Sequence, residues 1–183
     1  MIRPAAKSHC PGCGVDLESF DGPTHAYMTS SPACFELFTN VLAFEYSDAA
    51  LLATHRLTVD TYAVQHPGTG GSRRQIQSVG LHLVRLCVQL ASPLPPKETN
   101  DVMLGCARHK QTFVFLEPPD RFSMTVGDVA PYAGDTKHAG KVREWAARTW
   151  NDWAKHHSYI HGWIEKYMPE ISPDKSFSSS TKR

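Results

Sequence analysis

The stretch SRRQIQSVGLHLVRLCVQL, Ser72 to Leu90, decides the fold. Ser72 and Gln75 are spaced as a capping box, S-x-x-Q, in which each side chain takes up a backbone N–H of the other, so a helix opens here. Beyond it Ile76, Leu81, Leu83, Val84, Leu86, Val88 and Leu90 occupy most of the circumference, leaving Gln75, Ser78, His82, Arg85 and Gln89 as one narrow polar stripe. A helix nearly apolar all round is a central one. The stripe is then either a solvent edge or one wall of a polar internal pocket, with His82 facing a histidine or Tyr62 of the preceding helix.

Working outward, two helices are predicted before this one. Cys34, Leu37, Phe38, Val41, Leu42 and Glu45 recur at three- and four-residue steps after Pro32, and Ser47 with Asp48 marks a break. A second helix follows the cap residue Asp48, carries Leu51, Leu52, His55, Val59, Tyr62 and His66 on one stripe, and stops near Gln65 because Pro67 disfavours helical geometry at His66. Downstream, a weaker helix spans Glu98 to His109, and Thr112 to Leu116 reads as a short strand-like run. Thr125 and Asp128 cap a single turn. A long helix is predicted from His138 to His156 with Val142, Trp145, Thr149, Trp150 and Trp153 on one side, then a shorter one ending at Pro169. With almost no strand, the fold class is all-α: a helical bundle fronted by a small loop-rich N-terminal knuckle. Residues 1–9 and 172–183 read as disordered, and 10–171 as one domain that includes the knuckle, 10–34.

Composition narrows the function. The 183 residues carry 19 Lys and Arg against 18 Asp and Glu, a net charge of +1 that lacks the basic excess nucleic-acid binding needs. No apolar run reaches the length of a signal-peptide core or a membrane span, so a cytoplasmic protein is expected. The 10 His and 5 Cys are the unusual component, and they point to a metal.

Cys10-Pro11-Gly12-Cys13-Gly14 is the tight turn in which two thiolates converge on one metal ion, and the Pro- and Gly-rich segment to Pro32 has too little to bury to order itself. A redox reading of this C-x-x-C needs a strand-to-helix setting that is missing here. Two further ligands must come singly. The nearest are His25 and Cys34, giving a closed Cys3His zinc site of Cys10, Cys13, His25 and Cys34, with His9 and His55 as substitutes for the histidine. Cys87 and Cys106 read as core residues.

His55 and His66 are eleven residues apart. An unbroken helix separates them by about 16 Å, so they cannot share one metal there. Each reads either as a core histidine satisfied by one hydrogen bond or as part of a polar pocket. His156, His157 and His161 read as helix-end residues, and Trp145, Trp150 and Trp153 as core anchors.

The motifs C-P-G-C-G at 10–14, G-P-T-H-x-Y at 22–27, S-P-A-C at 31–34, H-R-L-T-V-D-T-Y-A-V-Q-H-P-G at 55–68 and R-x-I-Q-S-V at 74–79 together resemble an uncharacterised bacterial family of unknown function. The resemblance runs from about Cys10 to Trp163. It implies membership and no mechanism, and it places His25, Cys34, His55, Asp60, Tyr62, Gln65, His66 and His82 at the family's motif positions.

Two functions compete. One is a zinc-stabilised regulatory or protein-binding module. The other is a metal-dependent enzyme acting on a small molecule in a histidine-lined pocket, with His55, Asp60, Tyr62, His66 and His82 as candidate catalytic residues.

Overall fold

The computed structural model describes residues 7–91 and 95–171. Seven α-helices lie in these residues: α1 (Pro32–Ser47), α2 (Leu52–Gln65), α3 (Arg73–Ala91), α4 (Pro96–Arg108), the short α5 (Val126–Val129), α6 (His138–Asp152) and α7 (His157–Tyr167). A two-stranded antiparallel hairpin, β1 (Lys7–His9) with β2 (Asp16–Glu18), precedes them, Ser8 facing Leu17. The domain therefore takes in Lys7–His9, which composition alone assigns to the disordered N-terminus. Residues 1–6 and 172–183 lie outside the described residues.

The central position expected of α3 holds. It packs on α2, α4, α6 and α7, while α2 touches α1, α3, α4 and α6. The capping box is present: the Gln75 N–H donates to Ser72 Oγ at 3.2 Å, and the Ser72 N–H to Gln75 Oε1 at 3.3 Å. Thr125 and Asp128 form a second such box at the start of α5. Asp48 accepts the Ala50 N–H and caps a 3-10 turn, Ala49–Leu51, that leads into α2.

From His82 onward the polar stripe of α3 faces inward. Arg85 and Gln89 are buried, and they close with His82 around Asp60, which is fully buried on α2. Asp60 Oδ1 accepts from His82 Nδ1 at 2.6 Å, and Oδ2 from Gln89 Nε2 at 2.6 Å, with Arg85 Nη2 3.2 Å away. The stripe is thus the polar half of the α2–α3 interface, and the partner of His82 is a carboxylate rather than a histidine or Tyr62.

Two expectations change. Thr112–Leu116 is not a strand: a 3-10 turn, Lys110–Thr112, runs into an extended segment whose Phe113 carbonyl accepts from Arg73 and whose Val114 N–H donates to Tyr159. The long tryptophan helix breaks at Trp153, whose N–H closes on the Thr149 and Trp150 carbonyls, and a 3-10 turn, Ala154–His156, separates α6 from α7. Trp145, Trp153 and Trp163 are buried core anchors, whereas Trp150 is half-buried and stacks on His157. Cys87 and Cys106 are in the core, as expected.

Candidate metal centre

Three cysteines and one histidine meet where the knuckle leans on the first two helices. Ligand atoms of Cys10, Cys13, Cys34 and His66 all lie within 4.8 Å of one another. The residues are 1%, 3%, 0% and 1% exposed, so solvent supplies no competing ligand.

Each side chain arrives for a local reason. Cys10 and Cys13 sit on a tight turn: the Gly14 N–H donates to the Cys10 carbonyl, the Cys10 N–H to the Val15 carbonyl, and Gly14 takes φ +82°. Gly12 is there because nothing larger fits. A Cβ on it would stand 2.3 Å from the Thr29 carbonyl oxygen and 2.4 Å from His66 Cδ2. Gly12→Ala is accordingly expected to cost about 1–3 kcal/mol by forcing knuckle and histidine apart, read as a lower urea midpoint; an unchanged midpoint would contradict this close approach. Cys34 enters on the first turn of α1, where the Ser31 side chain caps the helix by accepting the Cys34 N–H.

His66 completes the group. Pro67 keeps it out of the helix, and its φ of −126° and ψ of 61° turn the ring from the end of α2 toward the sulfurs. Its Nδ1–H donates to the Tyr62 carbonyl at 2.7 Å, which fixes the tautomer and leaves the Nε2 lone pair for a metal. The ring stacks on Tyr62 at 3.9 Å, and Tyr62 stacks on Phe38 at 3.8 Å. Around the sulfurs, the Ser31 N–H points at Cys10 Sγ and the Tyr62 hydroxyl at Cys34 Sγ.

The spacings fit a tetrahedral ion. With metal–sulfur bonds of about 2.3 Å and a metal–nitrogen bond of about 2.0 Å, a tetrahedron has S···S edges of ~3.8 Å and S···N edges of ~3.5 Å. Cys13 Sγ and Cys34 Sγ are 3.7 Å apart, and His66 Nε2 is 3.5 Å from Cys10 Sγ and 3.4 Å from Cys34 Sγ.

The electrostatics point the same way. Hydrogen bonds from the Cys13 and Cys34 thiols, and then the contact with His66, hold the Cys10 thiol far below its usual range despite its burial. The hydrogen bond to Cys10 in turn pushes Cys13 up to about 12, and Cys34 is driven higher still, first by its hydrogen bond to Cys10. Three buried sulfurs cannot all ionise side by side without a cation among them. A divalent ion removes that conflict and lets all three act as thiolates.

The histidine that joins the three cysteines is therefore His66, where sequence spacing suggests His25. His25 lies outside the cluster, its ring edge-on to Tyr27 at 4.4 Å and to Phe35 at 6.2 Å. Burial, and then the charge of His82, disfavour its protonated form. The substitutes are also engaged elsewhere: His9 is on β1 against Asp16, and His55 pairs with Glu45. His55, His66 and His82 do not line one pocket. They contact Glu45, the sulfur cluster and Asp60 respectively. Tyr62 is buried under the metal group, and Gln65 is spent on the Met124 carbonyl, Thr149 and Trp145.

The chain belongs to the Family of unknown function (DUF5946), whose model matches residues 8–154. That span contains Cys10, Cys13, Cys34 and His66. No curated protein and no solved structure matches the chain.

Proposed function

We propose that Cys10, Cys13, Cys34 and His66 hold one zinc ion, that its role is structural, and that the protein is a cytoplasmic regulatory or protein-binding module built around it. The observation that carries this reading is closure: four buried protein ligands at tetrahedral spacings leave no open position for a substrate or an activated water. Zinc suits the set because it takes sulfur and nitrogen donors tetrahedrally and has no redox chemistry of its own. Bound there, the ion supplies Lewis-acid attraction that cross-links residues distant in sequence. The chain's residues do the rest: His66 ties the knuckle to the end of α2, Cys34 ties it to the start of α1, and Gly12 lets the two surfaces touch.

A partner-binding role is supported by the outer side of the knuckle, where a surface cavity of about 400 Å³ is lined by the Cys10–Gly14 turn together with Arg121, Phe122 and Thr125. No helix among the described residues is long and apolar enough to cross a membrane. Metal analysis of purified protein and two variants tests the ligand set. Wild type and His25→Ala are expected to retain about one zinc per chain, and His66→Ala to lose it to a moderate chelator. Retention by His66→Ala together with loss by His25→Ala would overturn the assignment.

A further inference from the structure

Away from the sulfurs, α1, α2 and α6 meet at a second buried carboxylate. Glu45, on the last turns of α1, is 0% exposed. Its Oε1 accepts from Thr58 Oγ1 and, at 2.8 Å, from His138 Nε2. His138 Nδ1 accepts the Gly134 N–H at 3.1 Å, which leaves Nε2 as the ring's donor to Glu45. The other carboxylate oxygen, Oε2, has no hydrogen bond, and it faces His55 Nδ1 at 3.4 Å, which has none either. The far nitrogen of His55, Nε2, is 2.9 Å from the Tyr46 hydroxyl. Tyr46 is 66% exposed.

Among the described residues Glu45 has His55 and His138 as its ion-pair partners. Of the two rings, His55 is the one whose far nitrogen meets a side-chain hydroxyl, that of Tyr46. A hydroxyl within hydrogen-bond reach of an imidazole whose other nitrogen stands 3.4 Å from a buried carboxylate has the order of parts that activates a nucleophile, with the imidazole–carboxylate contact at ion-pair distance and not a hydrogen bond.

We propose that Tyr46 is a covalent acceptor site for an acyl group from an activated ester, with His55 as its base and Glu45 as the positioning residue. In the step, Tyr46 Oη forms a bond to the acyl carbon as its proton passes to His55 Nε2. The ester's C–O bond breaks, and the departing alkoxide or phenoxide takes that proton from His55. The product is an O-acyl tyrosine and a free alcohol, with no oxidant or reductant required. An uncharged acyl donor is favoured over a phosphoryl donor because the group has a buried carboxylate beneath it and no Lys or Arg among its partners to receive phosphate oxygens.

The site shares no residue with the zinc ligands, so its test stands apart from metal content. The zinc-loaded full chain is treated with 4-nitrophenyl acetate, and the acetylated positions are followed by peptide mass spectrometry. Tyr46 is expected to acetylate about 100-fold faster than N-acetyltyrosine amide, as general-base assistance provides. His55→Ala is expected to lose this rate and to recover it with added imidazole, and Glu45→Gln to slow it with Tyr46 still exposed. A wild-type Tyr46 no faster than the free amide overturns the proposal, and that comparison needs no variant to fold. So does a folded His55→Ala protein that acetylates Tyr46 at the wild-type rate.

Discussion

Cys34→Ser is expected to release the metal and to unfold the knuckle. Between Lys7 and Ser31 the buried apolar residues are Cys10 and Cys13 alone. Val15, Leu17 and Met28 pack on the core only partly buried, so little hydrophobic driving force is available to order that segment, and the hairpin of two three-residue strands is too short to be stable by itself. On the proposed reading the zinc ion supplies the difference. Structural zinc binding contributes roughly 10–16 kcal/mol in small sites, comparable with the whole stability of a domain, about 5–15 kcal/mol. The loss extends past the knuckle, because Cys34 and His66 sit at the ends of α1 and α2 that it joins. Heat unfolding and limited proteolysis read the effect. The expected result is a melting temperature lower by more than about 10 °C, together with new cleavage between Cys10 and Ser31. A melting temperature within a few degrees of wild type would mean that the metal group is dispensable for the fold.

Asp60→Ala is expected to be the most damaging change outside the metal group. Among the described residues Asp60 is the one carboxylate that pairs with Arg85, which is 2% exposed, and it also orients His82 and holds Gln89. Deleting it strands a buried guanidinium that already has Nε without a hydrogen bond. Removing one partner of a buried ion pair costs about 3–5 kcal/mol, because the remaining charge stays desolvated. Urea unfolding measures it directly. A double variant, Asp60→Ala with Arg85→Met, is expected to recover part of the loss, since the unpaired charge goes as well. A single-variant cost under about 1 kcal/mol, or a double variant worse than the sum of its parts, would contradict this account of the α2–α3 interface.

Much of the architecture was legible because local chemistry and tertiary packing agree. The Ser72–Gln75 box, the nearly all-round apolar surface of α3 and the Thr125–Asp128 cap each have a short-range cause. The break at Trp153 was not legible, since no Gly or Pro marks it and the apolar spacing continues through it. Nor was the loss of strand character at Thr112–Leu116, where β-prone residues find no neighbouring strand to pair with.

At the site, the three cysteines were readable from C-x-x-C and from Cys34 at a helix start, but the histidine was not. His25 is near in sequence and lies in a loop, whereas His66 is 32 residues beyond Cys34 and falls on the helical stripe of Tyr62. The signal for His66 was present in Pro67: a residue before proline leaves the helix, and its side chain leaves the stripe. In the sequence Glu45 is a helix-stripe position with no chemical role to mark it. A fully buried glutamate is recognisable only once His138, 93 residues away, is seen to meet it.

Cys10, Cys13, Cys34 and His66 converge between the knuckle and the two helices, where the proposed zinc ion would sit. X-ray absorption at the zinc K-edge of the purified full-length chain tests this most directly, because it reports ligand type and number together. Three sulfur neighbours at about 2.3 Å and one nitrogen at about 2.0 Å are expected, with no exchangeable oxygen. A shell containing two or fewer sulfurs, or a water-derived oxygen, would contradict a closed structural site made by Cys10, Cys13, Cys34 and His66.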